Sequence, residues 1–381
     1  MNITKELKIG IAHWRIYSWG GAEYLVTKLA EVLGIKNIYT LGTPPGDNPY
    51  GKVKFYDVTK DLPLSHFKRF LLKFNRIFEY YIWESVDFSV YDDFDILISS
   101  GSTTRAIILP DNIIHVNYCH SPPRWLYDLY HYRIKDVKFA PVYDHIIRYL
   151  RIKDIVIDKR VDYYLANSPI IKRRIWKYYK RSAEVLYPPI EISKYKNKEP
   201  EDYYLYLGRL DKEKGIIEVV LAFKELNKPL KIVGSKGNVF NEVMKIIKGC
   251  RNIEYMGFVS EKEKIELLSR CKAVIFNAIN EDFGIVPIEA NASGKLCVSI
   301  KSGYPGIYIK DGINGFLHDG SVKGIIEAIL KVEKSLNKID PENIKKCAEK
   351  FDITIFKERL NQYINKFYQD FNEKLDDKFK I

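Results

Sequence analysis

Ala273-Val-Ile-Phe-Asn-Ala-Ile-Asn-Glu-Asp-Phe-Gly-Ile-Val-Pro-Ile-Glu-Ala290 opens as a short apolar run, breaks into a polar loop and continues into helix-compatible sequence after Gly284. A run of this length bounded by turn residues reads as a buried strand, and Pro287 is tolerated in the first turn of the helix that follows. The stretch is therefore a strand-loop-helix unit. Just before it, Ser260-Glu-Lys-Glu263 has the S-x-x-E form of a capping box and predicts a helix reaching Cys271.

Working outward, the same cycle repeats in both directions. The second half predicts strands over 203–207, 230–233, 253–258 and 273–278, with helices over 216–226 and around 242–248 between them. The first half predicts strands over 7–12, 36–41, 53–58, 95–99, 113–118, 163–167 and 184–187. Alternation of this kind calls for parallel sheets covered by helices rather than a sandwich. The polar stretch between Tyr187 and Tyr203 carries Pro188, Pro189 and Pro200 and reads as a linker. The predicted architecture is α/β, with two doubly wound Rossmann-like domains. The boundaries are 1–190 for an acceptor-side domain, 191–345 for a donor-binding domain, and 346–381 for terminal helices packing back toward the first. Open α/β sheets bind ligands at the carboxyl ends of their strands, so two such sheets facing each other across a cleft would place the chemistry in post-strand loops.

The composition narrows the function classes. At 381 residues, with 46% hydrophobic and 29% charged, the chain can bury full cores without metal or disulfide staples. Cys119, Cys250, Cys271, Cys297 and Cys347 are odd in number and form no C-x-x-C pair, so they read as buried thiols. No apolar run approaches the ~20 residues of a membrane span, and the first residues lack the apolar centre of a secretory signal, which predicts a cytoplasmic protein. The net charge of +12, heavier in the first half, suits phosphates, an anionic membrane surface or nucleic acid without choosing among them.

Chemistry concentrates around the opening stretch. Gly284 permits close backbone approach, and the free N–H groups of Gly284, Ile285 and Val286 would face an anion at the positive end of a helix. Glu289, one turn further, suits two hydrogen bonds from a vicinal diol such as a ribose. Glu281 stands in the loop.

The spacing Glu281-x7-Glu289 resembles the signature of the retaining nucleotide-sugar glycosyltransferases of family 4, the group 1 glycosyltransferases of GT-B fold. Gly208-Arg-Leu-Asp-Lys-Glu-Lys-Gly215 resembles that family's G-R-L-x-x-E-K-G segment, and Gly20-Gly21-Ala-Glu its N-terminal glycine loop. His120-Ser-Pro-Pro-Arg-Trp125 resembles an H-x-P-x-R segment of mannosyl- and rhamnosyltransferases. The resemblance implies that Arg209 and Lys214 bind the donor diphosphate and that Glu289 holds the ribose. It further implies that Glu281 and His120 are catalytic residues contacting the sugar, and that Arg124 meets acceptor or phosphate. The reaction implied is transfer of a hexose, mannose foremost, from GDP-mannose or a UDP-hexose to a glycan or lipid-linked acceptor with retention. No metal and no cofactor are implied, because two cations and a helix N-terminus can neutralise the diphosphate. Where many relatives carry G-G-x-x-E, this chain has Ser302-Gly-Tyr-Pro-Gly-Ile307, without the acid.

Rival readings are weaker. Asp93-Phe-Asp95 has the D-x-D form of a metal motif but precedes a strand, where it reads as a surface strand entry. No G-x-G-x-x-G follows the first strand, which excludes a nicotinamide site of that type. A basic nucleic-acid-binding or inactive transferase-like protein is the alternative function, although no nucleic-acid motif supports it and no nucleic-acid partner is expected. The segments 67–83 and 171–181 mix cations with aromatics at helical spacing, as helices lying on an inner membrane face do, against the reading of core-facing helices with a solvated basic side.

Overall fold

The computed structural model describes residues 7–62, 77–134 and 140–379. The chain divides into two compact units, Met1–Tyr187 with Phe356–Ile381, and Pro188–Ile355. The helical stretch from 346 onward is thus shared. Residues up to 355 stay with the second unit, where Phe351 packs edge-on to Phe283, Tyr304 and Tyr308 and Ile353 N–H donates to the Ile190 carbonyl.

Among the described residues, the first unit holds a parallel sheet of strands β1 (Ile9–His13), β2 (Asn37–Thr40), β3 (Lys54–Asp57), β4 (Ile96–Ser100), β5 (Ile114–Cys119), β6 (Tyr163–Ala166) and β7 (Glu184–Val185). Their order is β3-β2-β1-β4-β5-β6-β7, so the winding reverses between β1 and β4. Every residue of β4 and β5 is buried, as a sheet covered on both faces requires. The polar residues in these strands bond to one another and to nearby carbonyls. His115 Nε2 lies 2.8 Å from Ser99 Oγ, its Nδ1 3.1 Å from the Arg160 carbonyl, and Asn117 Nδ2 donates to the carbonyls of Ser99 and Gly101. Burial holds the His115 imidazole down to about 4, so it stays neutral at physiological pH.

Local signals set the helices. The helix Gly21–Leu33 follows β1 and ends at Gly34, whose left-handed backbone returns its N–H to the carbonyls of Ala30 and Glu31. Ser168 caps the helix Pro169–Tyr179, with proline at its first position. Behind the sheet, buried Arg105 pairs with buried Asp154, whose second oxygen accepts hydrogen bonds from Tyr127 and Tyr179, each 2.8 Å long. The terminal helix stacks Phe367 on Tyr163 at 4.5 Å, and its Lys366 pairs with Glu184 at 2.6 Å.

The second unit repeats the plan with β8 (Tyr204–Leu207), β9 (Leu230–Val233), β10 (Ile253–Gly257), β11 (Ala273–Phe276), β12 (Leu296–Ile300) and β13 (Gly315–His318). All are parallel in the order β10-β9-β8-β11-β12-β13, which places the reversal between β8 and β11. Its core joins Tyr204, Phe223, Ile232, Ile275, Val298 and Ile329 across sheet and helices. The helix Glu261–Arg270 starts at the predicted capping box, with Ser260 and Glu263 bonded reciprocally.

Candidate functional site

In the second unit the two loops that leave the carboxyl ends of β8 and β11 meet at the reversal of strand order. The first carries Arg209 and Lys214, the second Glu281 and Gly284. Lys214 Nζ lies 2.5 Å from Glu281 Oε2, although 67 residues separate them in the chain. Both side chains are part-exposed, so the pair is open to a ligand. Arg209, more exposed, pairs with Asp211 on its own loop. Gly284 has φ +73° and immediately precedes the helix Ile285–Ala292, whose first residues are Ile285 and Val286.

The loop after β12 braces this arrangement. Asn280 N–H donates to Ser302 Oγ at 3.0 Å, and Tyr304 N–H donates to the Glu281 carbonyl at 3.0 Å. Gly303, at φ +68°, fits against the Glu281 backbone so closely that a Cβ there would stand 2.3 Å from the Glu281 carbonyl oxygen. A Cβ on Gly284 would stand 2.6 Å from Pro305 of the same loop. The segment that departs from the family pattern thus seats Glu281.

Glu289 is 4% exposed and lies one turn into the helix. Its Oε1 accepts from Tyr195 at 2.9 Å and from Lys264 Nζ at 2.6 Å. Burial disfavours the charged Lys264, but the carboxylates of Glu289 and Glu261 outweigh it and hold the ammonium well above its usual range. Sequence reasoning missed Tyr195 and Lys264, and it marked Ser302 and Gly303 only as part of a segment without its acid. Nothing local marks Tyr195 and Lys264, because each acts through Glu289, distant in sequence.

The first unit gathers a second polar group at the carboxyl ends of β1, β4 and β5. His120 Nε2 lies 2.9 Å from Ser100 Oγ, which lies 3.0 Å from His13 Nδ1, and His13 Nε2 lies 3.4 Å from Glu23 Oε1. Trp14 Nε1 donates to the same Glu23 oxygen at 3.3 Å and its ring lies against His120, centroids 5.4 Å apart. Burial and the neighbouring His13 push the His120 imidazole down to about 3. Burial also opposes the charge on Glu23, yet its contacts with His13 and Trp14 help hold the carboxyl below its usual range. Gly20 and Gly21 stand at the start of the helix that carries Glu23. Arg124, expected at acceptor or phosphate, pairs with Asp128, its Nη2 2.8 Å from the carboxylate. Ser100 is a site neighbour that the sequence did not single out, whereas Glu23 closes the glycine-loop motif and His13 ends the strand before it.

Other sequence expectations find their places. Asp95 accepts from Lys8 N–H at 2.7 Å at the entry to β4, and Asp93 is 88% exposed. No group of three or more metal-ligating side chains occurs among the described residues. Of the two cation-aromatic segments, residues 67–76 lie outside the described residues. The other is the helix Pro169–Tyr179, which buries Ile171, Ile175 and Tyr179 and exposes Lys172, Arg173 and Trp176. Among the described residues no helix is long and apolar enough to cross a membrane.

The model of the family "Glycosyl transferases group 1" matches residues 189–351. An uncharacterized glycosyltransferase of Methanocaldococcus jannaschii, MJ1178, is 24% identical over 56% of this chain and 60% of its own length. The human alpha-1,3/1,6-mannosyltransferase ALG2 is 32% identical over 33% of this chain and 32% of its own. The chain thus matches about a third to three-fifths of these relatives' lengths. The structure of Anabaena Alr3699/HepE in complex with UDP and glucose superposes with a TM-score of 0.70 over 94% of this chain and 99% of that one, at 15% identity. With two doubly wound parallel sheets and this structural likeness the chain has the GT-B fold, and its second unit matches the family model of the group 1 glycosyltransferases.

Proposed function

We propose that the protein transfers a hexose, mannose foremost, from a nucleoside diphosphate sugar to a hydroxyl of a glycan or lipid-linked acceptor, with retention and without a metal ion. The observation that carries the proposal is the Lys214–Glu281 pair at the reversal between β8 and β11, where open sheets of this winding take ligands. Lys214 and Arg209 supply positive charge, and the helix beginning at Ile285 adds the N–H groups of Gly284, Ile285 and Val286. Together they stabilise a diphosphate whose charge grows as the bond from the anomeric carbon to the phosphate oxygen breaks.

In this reading the acceptor oxygen bonds to the anomeric carbon on the face the diphosphate leaves, and the acceptor's proton passes to a phosphate oxygen. Glu281 holds a sugar hydroxyl, and His120 offers a hydrogen bond to a substrate hydroxyl. Glu289 takes the ribose through Oε2, its Oε1 being engaged by Tyr195 and Lys264. The mannosyltransferase name of ALG2 supports GDP-mannose, and the UDP complexes of HepE support a UDP-hexose. Exposed Trp176 among Lys172, Arg173 and Lys177 supports peripheral contact with a membrane bearing a lipid-linked acceptor.

The test is a thermal-shift panel of GDP-mannose, UDP-glucose, UDP-N-acetylglucosamine, GDP and UDP against wild type and Glu289→Ala, with and without Mg²⁺. The expected result is a selective, metal-independent shift that the variant loses. No shift with any nucleotide, alongside salt-dependent binding of random oligonucleotides, would put nucleic-acid binding in its place.

A further inference from the structure

We propose that Glu23, His13 and Ser100 form a proton-ordering chain that fixes His120 as the tautomer protonated on Nε2 and leaves Nδ1 as a bare hydrogen-bond acceptor. The chain lies wholly within the first unit, spanning the carboxyl ends of three adjacent strands and the first turn of the helix Gly21–Leu33. A carboxylate can only accept, so it sets the direction of everything joined to it. Glu23 Oε1 takes the proton of His13 Nε2, and His13 Nδ1 is then an acceptor. Ser100 donates its hydroxyl proton to that nitrogen across 3.0 Å, and its oxygen is left to accept from His120 Nε2 across 2.9 Å. With Nε2 carrying the hydrogen, Nδ1 of neutral His120 carries a lone pair. It has no hydrogen-bond partner among the described residues.

Geometry gives the chain its direction. His13 is 0% exposed and meets Glu23 through Nε2 and Ser100 through Nδ1. Its 3.4 Å separation from Glu23 is longer than the ~2.7–2.9 Å of a charge-assisted contact, as befits a neutral ring donating to a carboxylate that Trp14 also serves. A protonated His13 would donate at both nitrogens and reverse the chain, placing the hydrogen of His120 on Nδ1. Packing holds the ring plane, with Trp14, Tyr118 and His13 centroids 5.4, 5.3 and 6.3 Å from that of His120. Resting on the transferase reading above, the bare Nδ1 selects a donor-sugar hydroxyl that gives its proton to the protein. Ser100, His13 and Glu23 are then positioning residues and His120 the group that touches substrate.

The experiment is ¹⁵N-histidine labelling of the full chain and long-range ¹H–¹⁵N correlation at neutral pH, with the His120 signals among the seven histidines identified by their loss in His120→Gln. The expected pattern is a protonated Nε2 and an unprotonated Nδ1 for His120. In Ser100→Ala the pattern changes to averaged tautomers, and Ser100→Thr, which keeps the hydroxyl, restores it. A wild-type His120 protonated on Nδ1, or an unchanged pattern in Ser100→Ala, overturns the proposal. Adding GDP-mannose or UDP-glucose to wild type is a separate arm. A shift confined to His120 Nδ1 is expected from the matching donor, and its absence with both refutes the substrate role while leaving the tautomer result standing. With that donor, Ser100→Ala should lower turnover roughly tenfold with little change in donor affinity, and Ser100→Thr should recover it.

Discussion

Replacing Gly303 with alanine tests whether the loop after β12 is the seat of Glu281. Gly303 has φ +68°, where an L-residue costs about 1–2 kcal/mol, so alanine is strained there whatever the space. The added methyl would also stand 2.3 Å from the Glu281 carbonyl oxygen and 2.6 Å from its nitrogen, both backbone atoms that no rotamer can move. Relieving that overlap shifts one of the two loops, at a cost of about 1–3 kcal/mol typical of overpacking. The sum is about 2–5 kcal/mol. At roughly 2–4 °C per kcal/mol for a unit of this size, the second unit should unfold about 5–15 °C earlier in calorimetry. Gly312→Ala is the control, because it has φ +77° with nothing within 4 Å of the added methyl and carries the backbone cost alone. Gly303→Ala should also weaken nucleotide binding by displacing Glu281 from Lys214, and Gly312→Ala should not. Equal destabilisation by the two alanines, with equal nucleotide affinity, would show that the contact with Glu281 does not organise the site.

Lys214→Met should weaken binding of UDP or GDP, whichever the wild type takes, by about tenfold or more in isothermal titration, the cost of one charge-assisted contact to phosphate. Unchanged affinity would remove Lys214 from the diphosphate site. Asp154→Ala leaves buried Arg105 without its partner and Tyr127 and Tyr179 without an acceptor, and should cost about 3–5 kcal/mol in chemical denaturation. A loss under about 1 kcal/mol would contradict that assignment. His115 is held down to about 4 in the folded protein, so its stabilising contribution is complete above its unfolded value near 6.5 and is lost as pH falls toward 4. Between those values wild type should lose about 1.4 kcal/mol per pH unit more than His115→Gln, and parallel stability profiles would refute this.

The amino-acid sequence by itself determined the architecture, because strand and helix are local matters of apolar run, cap and turn. The strands predicted over 203–207, 230–233 and 273–278 appear as Tyr204–Leu207, Leu230–Val233 and Ala273–Phe276, and Ser260-Glu-Lys-Glu263 opens its helix through the capping box that its spacing announces. Gly284 was legible for the same reason, since a glycine between a buried strand and a helix marks a backbone position that other residues resist. The short strand β13 announced itself less, because Gly315-Phe-Leu-His has too few residues to show a period. What the tertiary structure alone decided is who meets whom. Lys214 reaches Glu281 across 67 residues, Tyr195 reaches Glu289 across 94, and Ser100 joins His13 across 87, because parallel strands bring their carboxyl ends together irrespective of chain distance. A pairwise contact of that kind depends on sheet order and register, which no stretch of neighbouring residues encodes. The loop at Ser302–Ile307 shows the difference most clearly. In sequence it is a motif lacking its acid, and in the folded chain it is the backbone cradle of Glu281.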